Sequence, residues 1–173
     1  RPQESLAQFH LRCWMTGVVP AQHPLETLAR ICSERVLRGA AAITRTDAVC
    51  VSWSAVPLVP LLARRRFQAH LGRWDWEPYG LLVERSALAG LGAQPVRYGT
   101  EADFRELDVE NRPYFQPRSG RRRHSSVDWT QEREWRLLGD LRLDDLPAEA
   151  VRVFVRTRRE ALPLSRRIAW PVL

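Results

Sequence analysis

A chain of 173 residues with 45 % hydrophobic and 27 % charged side chains is read as a single globular domain, 1–173, able to bury roughly two-thirds of its unfolded surface. All 27 basic residues are arginine; against 20 acidic residues they leave a net charge of +7, and the missing lysine excludes Schiff-base, P-loop and kinase-type lysine chemistry. No run approaches the ~20 apolar residues of a membrane span and no signal-peptide pattern follows Arg1, so a soluble, cytoplasmic protein without a membrane partner is expected.

In chain order, Phe9-His10-Leu11-Arg12 comes first, and extended backbone would put His10 and Arg12 on one face. His23-Pro24 opens a helix in which Leu25, Leu28, Ala29, Cys32 and Val36 keep helical spacing, with Gly39 as its stop. Ala48–Ser54 reads as a strand ended by Pro57 and Pro60, and Leu61–His70 as a helix carrying Arg64, Arg65 and Arg66. Gly72–Gly80 is aromatic and turn-rich, Gly80–Glu84 a strand, and Ser86–Leu91 a short helix with Ser86 as N-cap and Gly92 as stop. A strand over Gln94–Tyr98 and a short helix over Glu101–Leu107 follow.

Pro113, Pro117, Ser119-Gly120 and the run Arg121-Arg122-Arg123 mark a mobile basic loop over about 111–126. Beyond it, Asp128-Trp129-Thr130-Gln131-Glu132-Arg133-Glu134-Trp135-Arg136 reads as a strand that ends at Gly139-Asp140. A turn at Asp144–Pro147, a buried strand at Val151–Val155 and an edge strand at Ile168–Leu173 complete the chain. Short strands and unevenly spaced helices give an α+β class: small mixed or antiparallel sheets with flanking short helices, not alternating βαβ units.

The chemistry concentrates in a few places. On a strand at 128–136, Thr130, Glu132, Glu134 and Arg136 share one side and Trp129, Arg133 and Trp135 the other. Two carboxylates about 7 Å apart on one face suit the stabilisation of a developing positive charge; the plainer reading pairs them with Arg136 or a neighbour's Arg133 on a solvated face. Ser52 and Ser54 share a strand face and can fix a ribose or simply the backbone, and no Gly-x-Ser-x-Gly elbow surrounds them. Arg12 offers a fork for a pyrophosphate and His10 a donor for a ribose hydroxyl, or the two are a surface histidine and a structural arginine. Trp74, Trp76 and Tyr79 can stack a planar ring or plug the core beneath a turn. Four scattered histidines and three unpaired cysteines support neither a metal site nor a disulfide framework. The basic balance favours an anionic partner, although one asparagine and three isoleucines suggest that G+C-rich coding contributes to the arginines.

The order of Val49-Cys50-Val51-Ser52, Leu71-Gly72-Arg73-Trp74, Glu77-Pro78-Tyr79-Gly80, Gln94-Pro95-Val96-Arg97-Tyr98-Gly99 and the 128–136 segment resembles the abortive-infection proteins of the AbiGi type and their bacterial relatives, whose shared mark is a Trp…Glu-x-Glu-Trp-Arg strand. The resemblance covers about residues 48–155. That group is distantly similar to the ADP-ribosyltransferase fold, which implies three strand-borne elements: an early Arg or His (His10 or Arg12), a middle Ser-x-Ser or aromatic (matched by Ser52 and Ser54) and a late Glu-x-Glu (Glu132 and Glu134). The middle element departs from the full Ser-Thr-Ser pattern.

The resemblance implies an enzyme that consumes NAD as substrate, cutting the nicotinamide–ribose bond through an oxocarbenium-like transition state, in a toxin or phage-defence effector. Glu134 would hold the ribose 2′-hydroxyl and stabilise the cation, and Glu132 would orient or deprotonate the acceptor. His10, Arg12, Ser52, Ser54, Trp74 and Tyr79 would line the NAD site. Arg64, Arg65, Arg66, Arg118, Arg121, Arg122 and Arg123 would guide a polyanionic acceptor such as nucleic acid, and a cognate antitoxin or defence partner is an expected companion. The alternative is a non-catalytic nucleic-acid-binding or defence-partner domain in which Glu132 and Glu134 form buried ion pairs. A third reading, a metal-dependent nuclease, uses Asp128, Glu132 and Glu134.

Overall fold

A computed structural model describes residues 23–41, 44–68, 73–122 and 125–173. His10, Arg12 and Arg123 lie outside the described residues. The chain's contacts fall into two compact units, Arg1–Glu34 with Pro57–Leu82 and Arg152–Leu173, and Arg35–Val56 with Val83–Val151. The described elements are mixed helix and strand, in small sheets that are mostly antiparallel. None of the described helices is long and apolar enough to cross a membrane.

The first unit carries α1 (Pro24–Glu34), α2 (Leu58–Ala63), the hairpin β3 (Phe67–Gln68) with β4 (Arg73–Trp74), the pair β5 (Gly80–Val83) with β13 (Val151–Phe154), and α5 (Arg158–Ser165). Leu28, Ala29 and Cys32 line the buried face of α1, as helical spacing requires. The helix stops at Glu34, not Gly39, because Arg35 turns left-handed at φ 55. In place of an expected helix over 61–70, α2 begins at Leu58 behind Pro57 and ends at Ala63, with Phe67–Gln68 extended. Pro60 falls in the first turn of α2, where an N–H has no intrahelical acceptor to lose, so it does not bar the helix.

The second unit holds the segments richest in predicted chemistry. β2 (Cys50–Ser54) and β11 (Glu134–Leu138) pair antiparallel along their whole length, Glu134 opposite Ser54 and Leu138 opposite Cys50. β6 (Gln94–Pro95) joins the other edge of β11. Side-chain alternation places Cys50, Ser52, Ser54, Glu134 and Arg136 on one face, and Val51, Trp53, Trp135 and Leu137 on the other. Around this sheet, β1 (Val36–Leu37) pairs with β12 (Leu141–Arg142), β7 (Arg97–Gly99) runs parallel to β8 (Phe115–Pro117), and α3 (Arg85–Gly90) and α4 (Glu101–Glu106) are single short helices. Cys50, Val51, Val96, Phe115, Leu137, Leu141 and Leu143 form its core. Each large apolar side chain so buried contributes about 1.5–3 kcal/mol.

The expected loop over 111–126 is largely regular. A 3-10 turn over Val109–Tyr114 leads into β8, and β9 (Ser119–Arg122) pairs with β10 (Ser125–Asp128), Ser119 opposite Asp128. The proline and Ser-Gly signals that read as loop are confined to a turn and strand ends, while the pairing of 119–122 with 125–128 is a contact that local propensity does not record.

Candidate functional site

The nine residues 128–136 do not form one strand. The Asp128 carboxylate closes β10 by accepting from the Thr130 amide at 3.0 Å and from the Thr130 hydroxyl at 2.7 Å. That Asp-x-Thr bonding turns the chain into a 3-10 turn over Trp129–Glu132, and Arg133 leaves the turn left-handed at φ 48, ψ 48. Only at Glu134 does β11 begin. The expected shared face of Thr130, Glu132, Glu134 and Arg136 therefore reduces to Glu134 and Arg136. Glu132 stands on the turn ahead of the strand.

Arg136 is 1 % exposed, the one buried charged residue among the described residues. Its Nε donates to Glu134 Oε1 at 2.8 Å and its Nη2 to Glu134 Oε2 at 3.1 Å. Nη2 also donates to Gln116 Oε1 at 2.9 Å, and Nη1 donates to the carbonyls of Pro113 at 2.6 Å and Phe115 at 3.1 Å. Five acceptor contacts match the five N–H groups of a guanidinium, so the buried cation is fully satisfied. The Glu134 side chain retains 12 % exposure, which leaves its carboxylate at the margin of solvent.

The two serines on β2 differ. Ser52 is exposed and donates to Glu134 Oε1 at 2.6 Å. Ser54 donates to the Glu132 carbonyl at 2.9 Å and accepts from the Val56 amide at 3.2 Å, tying the turn before β11 to the end of β2. Sequence reasoning overlooked Tyr98, whose hydroxyl accepts the Glu134 amide proton at 3.0 Å. Burial raises the Tyr98 pKa; the Glu134 N–H bond opposes this, and the Glu134 and Glu132 carboxylates reinforce it. Gln116 was overlooked as well. Tyr98 lies in a run that carries the resemblance but has no site role there, and Gln116 carries no signal; both reach the site through the parallel β7–β8 pair, in which Tyr98 stands opposite Gln116.

Among the predicted site residues, Ser52, Ser54, Glu132 and Glu134 are thus brought together in the second unit. Arg118, exposed, donates its amide to Gly99, and Arg121 and Arg122 belong to β9 of the same unit. Trp74 lies in β4 and Tyr79 before β5, both in the first unit. The Tyr79 hydroxyl donates to Glu160 at 2.9 Å, and burial together with that bond pushes its pKa up to about 12. Arg64 caps the end of α2, Arg65 lies 3.9 Å from Glu77, and the Arg66 amide donates to Asp75, all in the first unit. Asp128, Glu132 and Glu134 do not gather into a metal-holding group; no cluster of three such side chains occurs among the described residues.

No protein-family model matches the chain, and comparison with curated proteins and with solved structures finds no match. The candidate site stands on its own geometry: a carboxylate oriented by a buried guanidinium, topped by an exposed serine hydroxyl, and backed by a phenol.

Proposed function

We propose that the chain is an ADP-ribosyltransferase-like enzyme of the AbiGi-resembling kind that transfers a glycosyl group from NAD, with Glu134 as the carboxylate beside the reacting ribose. The observation that carries this reading is the 2.6 Å hydrogen bond from exposed Ser52 to Glu134, which joins the middle and late elements of the resemblance at one solvent-facing point. A carboxylate fixed by hydrogen bonds at the margin of solvent can face the positive charge that develops in an oxocarbenium-like transition state. Glu134 would accept the ribose 2′-hydroxyl and face the developing cation. Glu132, on the turn beside it, would meet the acceptor. The net charge of +7 and the arginines of 118–122 favour a polyanionic acceptor, nucleic acid above protein.

The buried ion pair supports a second reading. Glu134 is the countercharge of Arg136, a sufficient reason for a carboxylate at that position in a non-catalytic nucleic-acid-binding domain.

Two measurements separate the readings. NAD loss is followed with wild-type protein, Ser52→Ala and Glu134→Gln in the presence of RNA or DNA, and nucleic-acid binding is titrated at two salt concentrations. Glycosyl transfer predicts turnover that falls on the order of 10²–10³-fold in Glu134→Gln. Steeply salt-dependent binding without NAD loss in the wild type overturns it and leaves the binding domain.

A further inference from the structure

We infer that the Tyr98 hydroxyl is a substrate contact of this site, donating its proton to the ribose hydroxyl next to the one that Glu134 receives; the inference rests on the glycosyl-transfer reading. Tyr98 is fixed from two directions. Its hydroxyl oxygen accepts the Glu134 amide at 3.0 Å, and its strand neighbour across β7–β8 is Gln116, which accepts from Arg136 Nη2 at 2.9 Å. The phenol, the guanidinium and the carboxylate are therefore members of one bonded cluster.

A phenol both donates and accepts. The acceptor side of Tyr98 is used by Glu134, whereas its proton has no acceptor among the described residues. A half-buried O–H in that position donates to water or to whatever displaces the water. Burial and the two nearby carboxylates keep the group protonated at neutral pH, so the donor persists.

The ligand chemistry follows from the pair of functions. Glu134 can only accept, and Tyr98 has only its proton left to give. A vicinal diol meets both demands, one hydroxyl donating to the carboxylate and its neighbour accepting from the phenol. A ribosyl group carries such a diol.

The test is a cycle between protein and substrate hydroxyls. The values of kcat and KM are measured for wild type and Tyr98→Phe, each with NAD and with the NAD analogue lacking the 3′-hydroxyl of the nicotinamide ribose. Loss of one such hydrogen bond costs ~10-fold in kcat/KM. Wild type is expected to lose ~10-fold on the analogue; Tyr98→Phe is expected to lose ~10-fold on NAD and no more on the analogue. Removing the phenol also leaves the Glu134 amide without its acceptor, but that structural loss acts equally on both substrates, so non-additivity reports the contact alone. Independent, multiplying losses overturn the role of Tyr98 while NAD turnover leaves the reading intact. Wild-type protein that neither consumes NAD nor binds ADP-ribose overturns both.

Discussion

Glu134 and Arg136 stand two positions apart on one strand and meet side-on, with 2.8 Å and 3.1 Å contacts to the two carboxylate oxygens. Strand alternation puts them on one face, and the segment 113–116 closes over the guanidinium with three further acceptors. Removing Glu134 leaves the buried Arg136 without its countercharge, and removing Arg136 leaves a mostly covered carboxylate without its cation. Glu134→Ala and Arg136→Ala should each destabilise the protein by about 3–5 kcal/mol, read from urea unfolding midpoints. Arg136→Lys should rescue little of this, since an ammonium cannot reach five acceptors held in a fork. A lysine variant within about 1 kcal/mol of wild type would contradict the network.

The two serines of β2 separate function from architecture. Ser54 bridges the Glu132 carbonyl and the Val56 amide, so Ser54→Ala should lower the thermal midpoint by an amount equivalent to about 1–3 kcal/mol. Ser52 is exposed and donates to Glu134, so Ser52→Ala should leave the midpoint nearly unchanged while reducing NAD turnover. Paired thermal scans and NAD-loss assays check both. Equal effects of the two substitutions in both assays would remove Ser52 from the site.

What could be read from the sequence was local. Val151–Phe154 forms the expected strand, with Val151 and Val153 fully buried, because valines at alternate positions with Phe154 suit a strand and place both valines on one face. The helix at Glu101 begins where expected, at a Thr100–Asp103 capping box. The segment at 128–136 departs from the strand that alternation predicts because Asp128 bonds the Thr130 amide, which favours a turn over a strand. The sequence places Arg136 on the face of Glu134 as an ion-pair partner, but not as the buried centre of the cluster. Its burial depends on Pro113, Phe115 and Gln116, some twenty positions away, and no periodicity in one sequence records that distance. Tyr98 was illegible for the same reason.

Close packing at Gly39 supplies a sharp check on the second unit. A Cβ there would lie 2.5 Å from the Gly139 carbonyl oxygen and 2.7 Å from a Val49 methyl, while the Gly39 amide donates to Asp140 at 2.8 Å. Backbone cannot yield as a flexible side chain does, so Gly39→Ala should cost about 1–3 kcal/mol. Gly90→Ala adds a Cβ into open space on α3 and should stabilise by about 0.4–1 kcal/mol. Denaturant midpoints of the two variants should therefore move in opposite directions, and a neutral Gly39→Ala would show that the 39–139 approach is looser than described.

All three tyrosines of the chain have pKa values raised above 10. Burial is the leading cause in each: Tyr79 is pushed up to about 12 with help from Glu160, Tyr98 is raised with help from Glu134 and Glu132, and Tyr114 with help from Cys50. A phenol whose folded value exceeds its unfolded one favours folding in its protonated form. That stability is fully present below pH 10 and is lost as pH rises through the folded values, toward about 12 for Tyr79. Phenolate absorbance of denatured protein should rise near pH 10, whereas native protein should show no ordinary tyrosine and should ionise at higher pH together with loss of folded circular dichroism. Tyr79→Phe sharpens the test at the acid end. Burial draws the Glu160 carboxyl upward, but bonds from Tyr79 and Thr157 and the charge of Arg156 outweigh it, so its pKa lies below the ordinary value. A depressed carboxylate contributes stability above its unfolded pKa that is lost as pH falls through the folded one. Without the Tyr79 hydroxyl that depression shrinks, so Tyr79→Phe should weaken both the alkaline loss and the acid loss of stability. A native phenol titrating near pH 10 would contradict the burial of these rings.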